Sequence, residues 1–271
     1  MGAWVQPGWD VDLLTLLKAA QLLKPQLVVS HRSAARLWQI ETLGAVSNRT
    51  TLDFTDPGLS VRRGGEGVQV HRIPLAPCEV VERQGLRVTG VNRTVADLLR
   101  AEPRDDALVA VESALTRRRI GSVRRAPLTT PSALAAALEA PLLGAPRARD
   151  RLRLADPNSG SPAETIARLR MHDVGLRPEP QAELRTPDGR RRFLDFLFRA
   201  EGLGVEIEGY AYHGTRDAHR RDLYRFNQIL QCPEVRTLLR FTAEDVFHRA
   251  AGMLAQIRAA LAATGSGSGS R

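Results

Sequence analysis

The fold of the C-terminal half is decided by the stretch FLDFLFRAEGLGVEIEGYAYH, which runs from Phe193 to His213. The segment from Phe193 to Phe198 is rich in aromatic and apolar residues, and the segment from Val205 to Gly209 carries β-branched ones. Both compositions are typical of strands. The intervening run from Glu201 to Gly204 contains two glycines and predicts a turn. The stretch is therefore expected to form a β-hairpin.

This hairpin would bring acidic side chains together. Side chains alternate between the two faces of a strand, so Glu206 and Glu208 are expected on the same face. Asp195 lies on the neighbouring strand and faces them if the register allows. Three carboxylates on one patch repel each other, and a bound divalent cation is the natural way to stabilise them. The sequence therefore predicts a metal site on the hairpin, with His213 close behind it.

The overall composition is that of an ordinary soluble protein. The chain has 271 residues, of which 43% are hydrophobic and 25% charged, and a chain of this length can hold two cores. Neither a transmembrane run of about 18 apolar residues nor a secretory signal is recognisable. Cys78 and Cys232 lie too far apart in the sequence to form a Cys-x-x-Cys metal site. A cytoplasmic location without a membrane partner is expected.

The charge of the chain favours a polyanionic partner. The formal net charge is +9 and the sequence pI is about 10.7. Lysine occurs only at Lys18 and Lys24, so nearly all of the positive charge is arginine, which grips phosphate bidentately. A GC-rich genome would explain most of the preference for arginine over lysine, but less of the positive sign. DNA is therefore the expected partner.

A turn-rich run, Asp156-Pro157-Asn158-Ser159-Gly160, predicts a domain boundary just before it. Residues 1–155 are expected to form a smaller α+β domain with several short strands. Residues 156–263 are expected to form an α/β domain in the order helix, hairpin, helix, strand, helix. Residues 264–271, TGSGSGSR, are expected to be a flexible Gly/Ser tail.

Two predictions in the first domain concern arginine-rich segments. A helix is expected from Asp105 to Arg119, and its last turn contains Arg117 and Arg118, which either satisfy the helix dipole or bind phosphate. A second helix is expected from Ser132 to Leu143. The segment that follows, Gly144 to Asp150, is expected to be a basic, mobile joint between the domains.

The second domain is expected to open with a helix from Ser161 to His172. Ser161 is a good N-cap residue, Pro162 suits the first helical position, and Glu164 stands three residues after the cap, as in a capping box. Glu164 has two interpretations, since it either completes this cap or binds a metal ion, and the two roles are compatible.

These residues together resemble a family of small endonuclease-like domains that is related to the very-short-patch repair (Vsr) endonucleases. The resemblance covers about residues 156–263. The residues that carry it are Glu164, Asp195, the run Glu206-Ile207-Glu208-Gly209, His213 and the segment from Arg236 to Phe241. The family has the PD-(D/E)xK fold, so the resemblance implies a restriction-endonuclease-like mixed sheet flanked by helices.

The resemblance also implies roles for individual residues. Asp195 and Glu206 would ligate Mg²⁺, or Mn²⁺ in its place, and Glu164 would assist directly or through water. The position that holds lysine in the general PD-(D/E)xK pattern is Glu208 here, so either Glu208 or His213 would handle the proton. If His213 faced away from the acids, the site would only bind metal or DNA. Apart from the resemblance, the positive charge of the chain predicts arginines on the DNA backbone, and a solvated helix face is the alternative for Arg220 and Arg221. The arginines expected there are Arg192, Arg220, Arg221, Arg225, Arg117 and Arg118.

A weaker resemblance lies in the first domain, where Val29 to Trp38 and Gly85 to Leu99 are similar to AbiEi-type antitoxins. Two functions are therefore expected to compete. The first is a metal-dependent endonuclease that hydrolyses phosphodiester bonds in DNA. The alternative is a non-catalytic, DNA-binding regulator or antitoxin-like protein that uses the nuclease fold as a scaffold. A homodimer would be compatible with either function.

Overall fold

The computed structural model describes most of the protein, in the ranges 12–44, 51–58, 67–120, 123–208 and 216–265. The chain divides into two compact units, Met1–Ala155 and Asp156–Arg271. They are called the N-terminal unit and the C-terminal unit below. No helix within the described ranges is long and apolar enough to cross a membrane.

The N-terminal unit mixes helices with short strands. Its helices are α1 (Leu13–Leu23), α2 (His31–Leu37), α3 (Val91–Ala101), α4 (Arg104–Leu115), α5 (Pro131–Ala137) and α6 (Ala145–Leu152). Its strands are β1 (Val28–Val29), β2 (Leu52–Thr55), β3 (Val68–His71), β4 (Val80–Arg83), β5 (Leu86–Thr89), β6 (Arg118–Ile120) and β7 (Val123–Arg125). A short 3-10 helix, Pro77–Glu79, precedes β4.

Five of these strands form one mixed sheet in the order β3-β2-β1-β5-β4. On this sheet Val29, Phe54 and Val88 are fully buried and pack in one apolar cluster with Leu17 of α1. A second apolar cluster lies among helices α3 to α6 and includes Leu99. Buried polar residues of α3 and β2, such as Arg93 and Asp53, need polar partners.

The arginine-rich end of α4 differs from the prediction. The helix ends at Leu115, and Thr116 already has the extended angles φ −107° and ψ 156°. Arg118 instead starts strand β6, which pairs antiparallel with β7 through Ile120 and Val123. The dipeptide between these two residues, Gly121-Ser122, lies outside the described residues. The predicted helix from Asp105 to Arg119 was therefore too long.

The predicted mobile joint from Gly144 to Asp150 is wrong, because α6 occupies most of it. Two arginines of α6 cap the C-terminal end of α3. Arg147 Nη2 donates to the carbonyl of Arg100 at 2.6 Å, and Arg151 Nη1 donates to that of Glu102 at 2.7 Å, both at the C-terminal end of α3. Carbonyls in the last turn of a helix lack partners within the helix, so cationic donors there are stabilising. The arginines of this segment therefore hold α6 against the end of α3.

The C-terminal unit alternates helices and strands. They are α7 (Pro162–Asp173), β8 (Glu179–Arg185), β9 (Arg191–Phe198), β10 (Leu203–Glu208), α8 (Arg216–Leu230), β11 (Thr237–Thr242), α9 (Ala243–His248) and α10 (Ala250–Gly265). The sheet has the order β11-β10-β9-β8, with β10 and β11 parallel and the other neighbours antiparallel. The unit is thus a mixed sheet flanked by helices, which confirms the α/β class. The predicted hairpin corresponds to β9 and β10.

Two features of this unit depart from the sequence prediction. Strand β8 was not predicted, and it contains Pro180, which lacks an N–H and is tolerated because β8 is an edge strand of the sheet. The next residue, Gln181, has a φ of 47°, in the left-handed region. The single helix expected after β11 is divided at Arg249 into α9 and α10.

Candidate functional site

Three carboxylates from three elements meet in the C-terminal unit, and Glu164, Asp195 and Glu206 are together called the acidic cluster. Glu164 comes from α7, Asp195 from β9 and Glu206 from β10. The last antiparallel pair of β9 and β10 is Phe196 with Val205, and Asp195 and Glu206 are the next residues on the two strands. The two acids therefore stand beside each other where the ladder stops.

Asp195 takes over the role of a ladder partner at this point. Its Oδ2 accepts a hydrogen bond of 2.8 Å from the backbone N–H of Ile207. The carboxylate thus satisfies a backbone donor that would otherwise be unpaired as the two strands separate. This bond fixes the side chain toward β10 and explains why an acid is accommodated between apolar neighbours.

Gln181 bridges two members of the cluster. Its Nε2 lies 2.9 Å from Glu164 Oε2 and 3.2 Å from Asp195 Oδ1 and donates to both. On β8 it stands between Pro180, paired with Phe196, and Ala182, paired with Leu194. Its left-handed backbone interrupts that pairing opposite Asp195. Sequence reasoning missed Gln181, because its position depends on a strand and a register that only the structure reveals.

Glu164 combines a structural role with its place in the cluster. Its backbone N–H donates to Ser161 Oγ at 3.2 Å, so the expected N-cap is present. Its carboxylate accepts from the N–H of Gly160 at 2.7 Å. A Cβ on Gly160 would lie 2.9 Å from Glu164 Oε1, so in any other residue the Glu164 carboxylate would have to shift. Glycine at this position therefore allows the backbone to approach the carboxylate.

The electrostatics of the cluster centre on Asp195. Burial raises the pKa of this carboxyl to about 8, and the negative charges of Glu164 and Glu206 add to the rise. The N–H of Ile207 and the charge of Arg225 act in the opposite direction, but they do not cancel it. A cation bound beside Asp195 in addition to Arg225 would favour the ionised form of this carboxyl. A divalent metal ion is such a cation.

Arg225, on α8, holds the third acid. Its Nη1 donates to Glu206 Oε2 at 2.8 Å and its Nη2 to Oε1 at 2.9 Å, so the pair is bidentate. Nη2 also donates to the carbonyl of Phe193 at 2.8 Å. Glu206 is buried, whereas the side chain of Arg225 is 44% exposed. Solvent therefore reaches the cluster at the guanidinium.

Glu208 has a partner of its own. It forms an ion pair with Arg240, which lies on β11, and the Arg240 guanidinium stacks 4.5 Å above the ring of Phe226. The two acids of β10 are thus neutralised by different arginines. Proton transfer by Glu208 would require this pair to open.

The remaining predicted site residues are distributed as follows. His213 lies outside the described residues. Arg220 and Arg221 lie on α8, and Arg220 is exposed. Arg192 donates from Nε and Nη2 to Gln228 Oε1, at 2.9 and 2.6 Å.

The two predicted arginines of the N-terminal unit differ from each other. Arg117 is exposed. The side chain of Arg118 is only 2% exposed, and its Nε lies 2.9 Å from Glu41 Oε2. Arg118 therefore corrects the prediction of phosphate contact, because its guanidinium is buried in an ion pair. The physical reason is that its segment forms strand β6 and not the end of an exposed helix.

The acidic cluster matches a divalent metal in charge and in donor type, since Mg²⁺ prefers carboxylate oxygens. Its present geometry is not that of a formed metal site. Within the described ranges, no group of three or more His, Cys, Asp or Glu residues is arranged to hold an ion. The amide of Gln181 and the guanidinium of Arg225 occupy carboxylate oxygens that a metal would use. Metal binding would therefore replace some of these hydrogen bonds.

The acidic cluster has no counterpart of known function to compare it with. Comparisons of the chain with models of protein families, with curated proteins and with solved structures found no match. The acidic cluster, its bridging glutamine and its exposed arginine are therefore the observations from which a function is proposed.

Proposed function

We propose that the C-terminal unit is a metal-dependent endonuclease that hydrolyses phosphodiester bonds in DNA. The observation that carries the proposal is the acidic cluster, in which three carboxylates from separate elements converge and burial with like charge raises the pKa of Asp195 to about 8. A carboxyl group whose pKa is raised in this way by burial and like charge is typical of sites that bind a cation or a proton in their function. The PD-(D/E)xK fold is part of the same proposal.

Asp195 and Glu206 would hold Mg²⁺, or Mn²⁺, and Glu164 would assist directly or through a water molecule. Bound there, the ion would supply charge relief at the phosphate and an activated water. Gln181 would keep Glu164 and Asp195 at a fixed separation, because it donates to both. Its role is positioning.

The arginine beside the cluster suits the substrate. Arg225 is half exposed, and its guanidinium offers the planar pair of donors that fits a phosphate oxygen pair. When a cation takes its place beside Glu206, Arg225 becomes available to the DNA backbone. The proton of the attacking water would pass to Glu208 or to His213.

A cleavage assay tests the proposal. The full chain is incubated with Mg²⁺ or Mn²⁺ and with supercoiled, linear duplex and single-stranded DNA and RNA. Wild type is expected to nick or cut DNA, and Asp195→Asn is expected to lose at least about a thousandfold in rate, as for the loss of a central electrostatic group. Glu183→Gln, which changes an exposed carboxylate on β8, serves as the matched control and should cleave normally. An inert wild type with both metals and all substrates contradicts the proposal.

The alternative function, a non-catalytic DNA-binding regulator or antitoxin-like protein, is favoured by one observation. Both acids of β10 are already paired with arginines, Glu206 with Arg225 and Glu208 with Arg240. Such pairs stabilise a scaffold without any metal. In that case the chain would bind DNA with steep salt dependence, would not cut it, and would bind equally well as Asp195→Asn.

A further inference from the structure

A second cluster of buried ionisable groups lies in the N-terminal unit. Helix α3 carries Arg93, Asp97 and Arg100 on one face, and each of them is at most 5% exposed. Arg93 Nε donates to both Asp97 oxygens at 3.1 and 2.9 Å, and Arg100 Nη2 donates to Asp97 Oδ1 at 2.5 Å. Arg93 Nη1 reaches Glu79 Oε2 at 2.7 Å. One fully buried carboxylate is thus shared by two guanidinium groups.

The two arginines are only partly satisfied by these contacts. Arg93 Nη2 and Arg100 Nη1 are buried, and neither has a hydrogen-bond partner in the part of the chain that the structure describes. Buried guanidinium groups normally use all of their donors, because an unpaired buried donor loses its hydration without compensation. Two such donors, about two turns apart on the same face of α3, therefore indicate an acceptor that the described chain does not itself supply.

His31 adds a third unpartnered atom to the same region. Its Nε2 is buried without a partner among the described residues, while its Nδ1 lies 3.0 Å from Ser30 Oγ. When the Ser30 hydroxyl donates to Nδ1, Nε2 carries the ring proton and is a donor. His31 begins α2, which lies against α3, and the charges of Arg93 and Arg100 both act on the His31 ring.

The His31 ring is held rigidly in place. It stacks on His71 with the ring centroids 3.5 Å apart and the planes 14° from parallel. His71 Nε2 in turn lies 3.0 Å from Asp53 Oδ1. His31 itself has a φ of 46°, an uncommon conformation for a residue other than glycine. Strained backbone of this kind persists where the surroundings over-determine it, and it concentrates at binding sites.

We propose that His31, Arg93 and Arg100, called the polar centre below, bind a phosphate-type oxyanion through Arg93 Nη2, Arg100 Nη1 and His31 Nε2. The free atoms are nitrogens, so the site suits an acceptor and not a metal cation. Asp97 and Glu79 offset the two guanidinium charges, so the site would hold the oxyanion through its unpaired donors and not through a net charge. Tetrahedral oxyanions match forked guanidinium donors well. Inorganic phosphate and the terminal phosphate of a nucleic acid share this chemistry.

Binding of inorganic phosphate to the full chain is the first test. Wild type is titrated with phosphate by calorimetry, and its thermal unfolding is followed in phosphate and in chloride at equal ionic strength. The three tryptophans of the chain, Trp4, Trp9 and Trp38, all belong to the N-terminal unit, so their fluorescence reports that unit. Phosphate is expected to raise its unfolding temperature above that in chloride.

Two variants locate the site. Arg100→Met is expected to weaken phosphate binding at least about tenfold, as for the loss of one charge-assisted hydrogen bond. Arg117→Met removes an exposed arginine of the same unit and is the control, with unchanged affinity. If Arg100→Met fails to fold, the side-chain Nε–H resonance of Arg93 in wild type replaces it, and this resonance is expected to shift on addition of phosphate.

The source of the phosphate is distinguished by a pair of short oligonucleotides, one with a 5′-phosphate and one with a 5′-hydroxyl. Tighter binding of the phosphorylated strand, lost in Arg100→Met, supports a terminal phosphate as the ligand. Equal binding of both strands together with binding of inorganic phosphate supports the free ion. The proposal is overturned if neither phosphate form binds, or if Arg100→Met and Arg117→Met bind phosphate as wild type does.

Discussion

The acidic cluster of the C-terminal unit and the polar centre of the N-terminal unit respond to burial in opposite ways. Burial raises the pKa of Asp195 to about 8 and lowers the pKa of His31 to about 3, so each group is pushed toward its neutral form. The negative charges of Glu164 and Glu206 act on Asp195, whereas the positive charges of Arg93 and Arg100 act on His31, with Asp53 opposing them. The net charge of +9 therefore says little about either site, and the ligands proposed for the two sites differ in sign.

The largest contrast is expected between Asp97, which is fully buried, and Asp195, which is half-buried. Asp97→Asn leaves Arg93 and Arg100 buried without their shared carboxylate, and removing one partner of a buried ion pair costs about 3–5 kcal/mol of unfolding free energy. Denaturant unfolding followed by tryptophan fluorescence measures this loss in the N-terminal unit. Asp150→Asn, an exposed aspartate, is the control and should change little. A small loss for Asp97→Asn would mean that the two arginines are not held by it.

Asp195→Asn is expected to change how the stability of the C-terminal unit depends on pH. The pKa of Asp195 is about 8 in the folded state, above the ordinary aspartate value of 3.8, so between these values the folded state binds more protons. The stability of the C-terminal unit therefore falls as pH rises from about 4 to 8, and the variant abolishes this slope. Hydrogen exchange of β9 and β10 amides at several pH values measures it. Parallel slopes in wild type and variant would contradict the raised pKa.

His31→Asn tests the same linkage with the sign reversed. In the folded state the pKa of His31 is about 3, below the ordinary histidine value of 6.5. Burial is the main cause, and the charges of His71, Arg93 and Arg100 lower the pKa further, while the charge of Asp53 raises it. Between these values the unfolded chain binds more protons, so stability is lost as pH falls from about 6.5 to 3. The variant, in which asparagine tolerates the left-handed backbone, should lose stability less steeply on acidification in fluorescence-detected melts. Equal acid sensitivity of wild type and variant would show that His31 does not cause the loss of stability at low pH.

A smaller effect is expected at Arg225. Arg225→Met frees both oxygens of Glu206 from their bidentate pair, so Mn²⁺ should bind more tightly, by about tenfold if one charge-assisted contact no longer competes. Calorimetric titration with Mn²⁺ measures this change, and Arg199→Met, on an exposed ion pair of the same unit, is the matched control. DNA cleavage should nevertheless fall, because the phosphate loses its guanidinium. Weaker Mn²⁺ binding would show that Arg225 does not compete with the metal.

The smallest effect concerns Gly160. In Gly160→Ala the added methyl would lie 2.9 Å from Glu164 Oε1, so the carboxylate must shift and its bond to the Gly160 N–H weakens. A loss of about 1 kcal/mol in unfolding free energy is expected, with weaker Mn²⁺ binding. Gly252→Ala is the control, because a Cβ there meets nothing and alanine is the better helix former, so it should stabilise α10 by up to about 1 kcal/mol. Equal behaviour of the two variants would remove Gly160 from the site.

The parts of the fold that depend on local patterns could be predicted from the sequence. Alternation along the hairpin predicts that Asp195 and Glu206 lie near each other, and the cap at Ser161 predicts where α7 begins. Gln181 could not be predicted, because a proline precedes it and its left-handed backbone breaks the strand pattern. The partners of Arg147 and Arg151 are carbonyls about fifty residues earlier in the chain, and no local pattern reveals them. The polar centre was missed for the same reason.

Strand β8 has a consequence beyond the acidic cluster. An edge strand with a full row of free backbone groups is a template on which another chain can grow by cross-β pairing. On β8, Pro180 offers no N–H, and Gln181 turns the backbone out of the regular pleat. The residue that bridges Glu164 and Asp195 thus also interrupts the surface on which fibrils would nucleate. Protection against self-association into fibrils follows from the same local distortion that shapes the site.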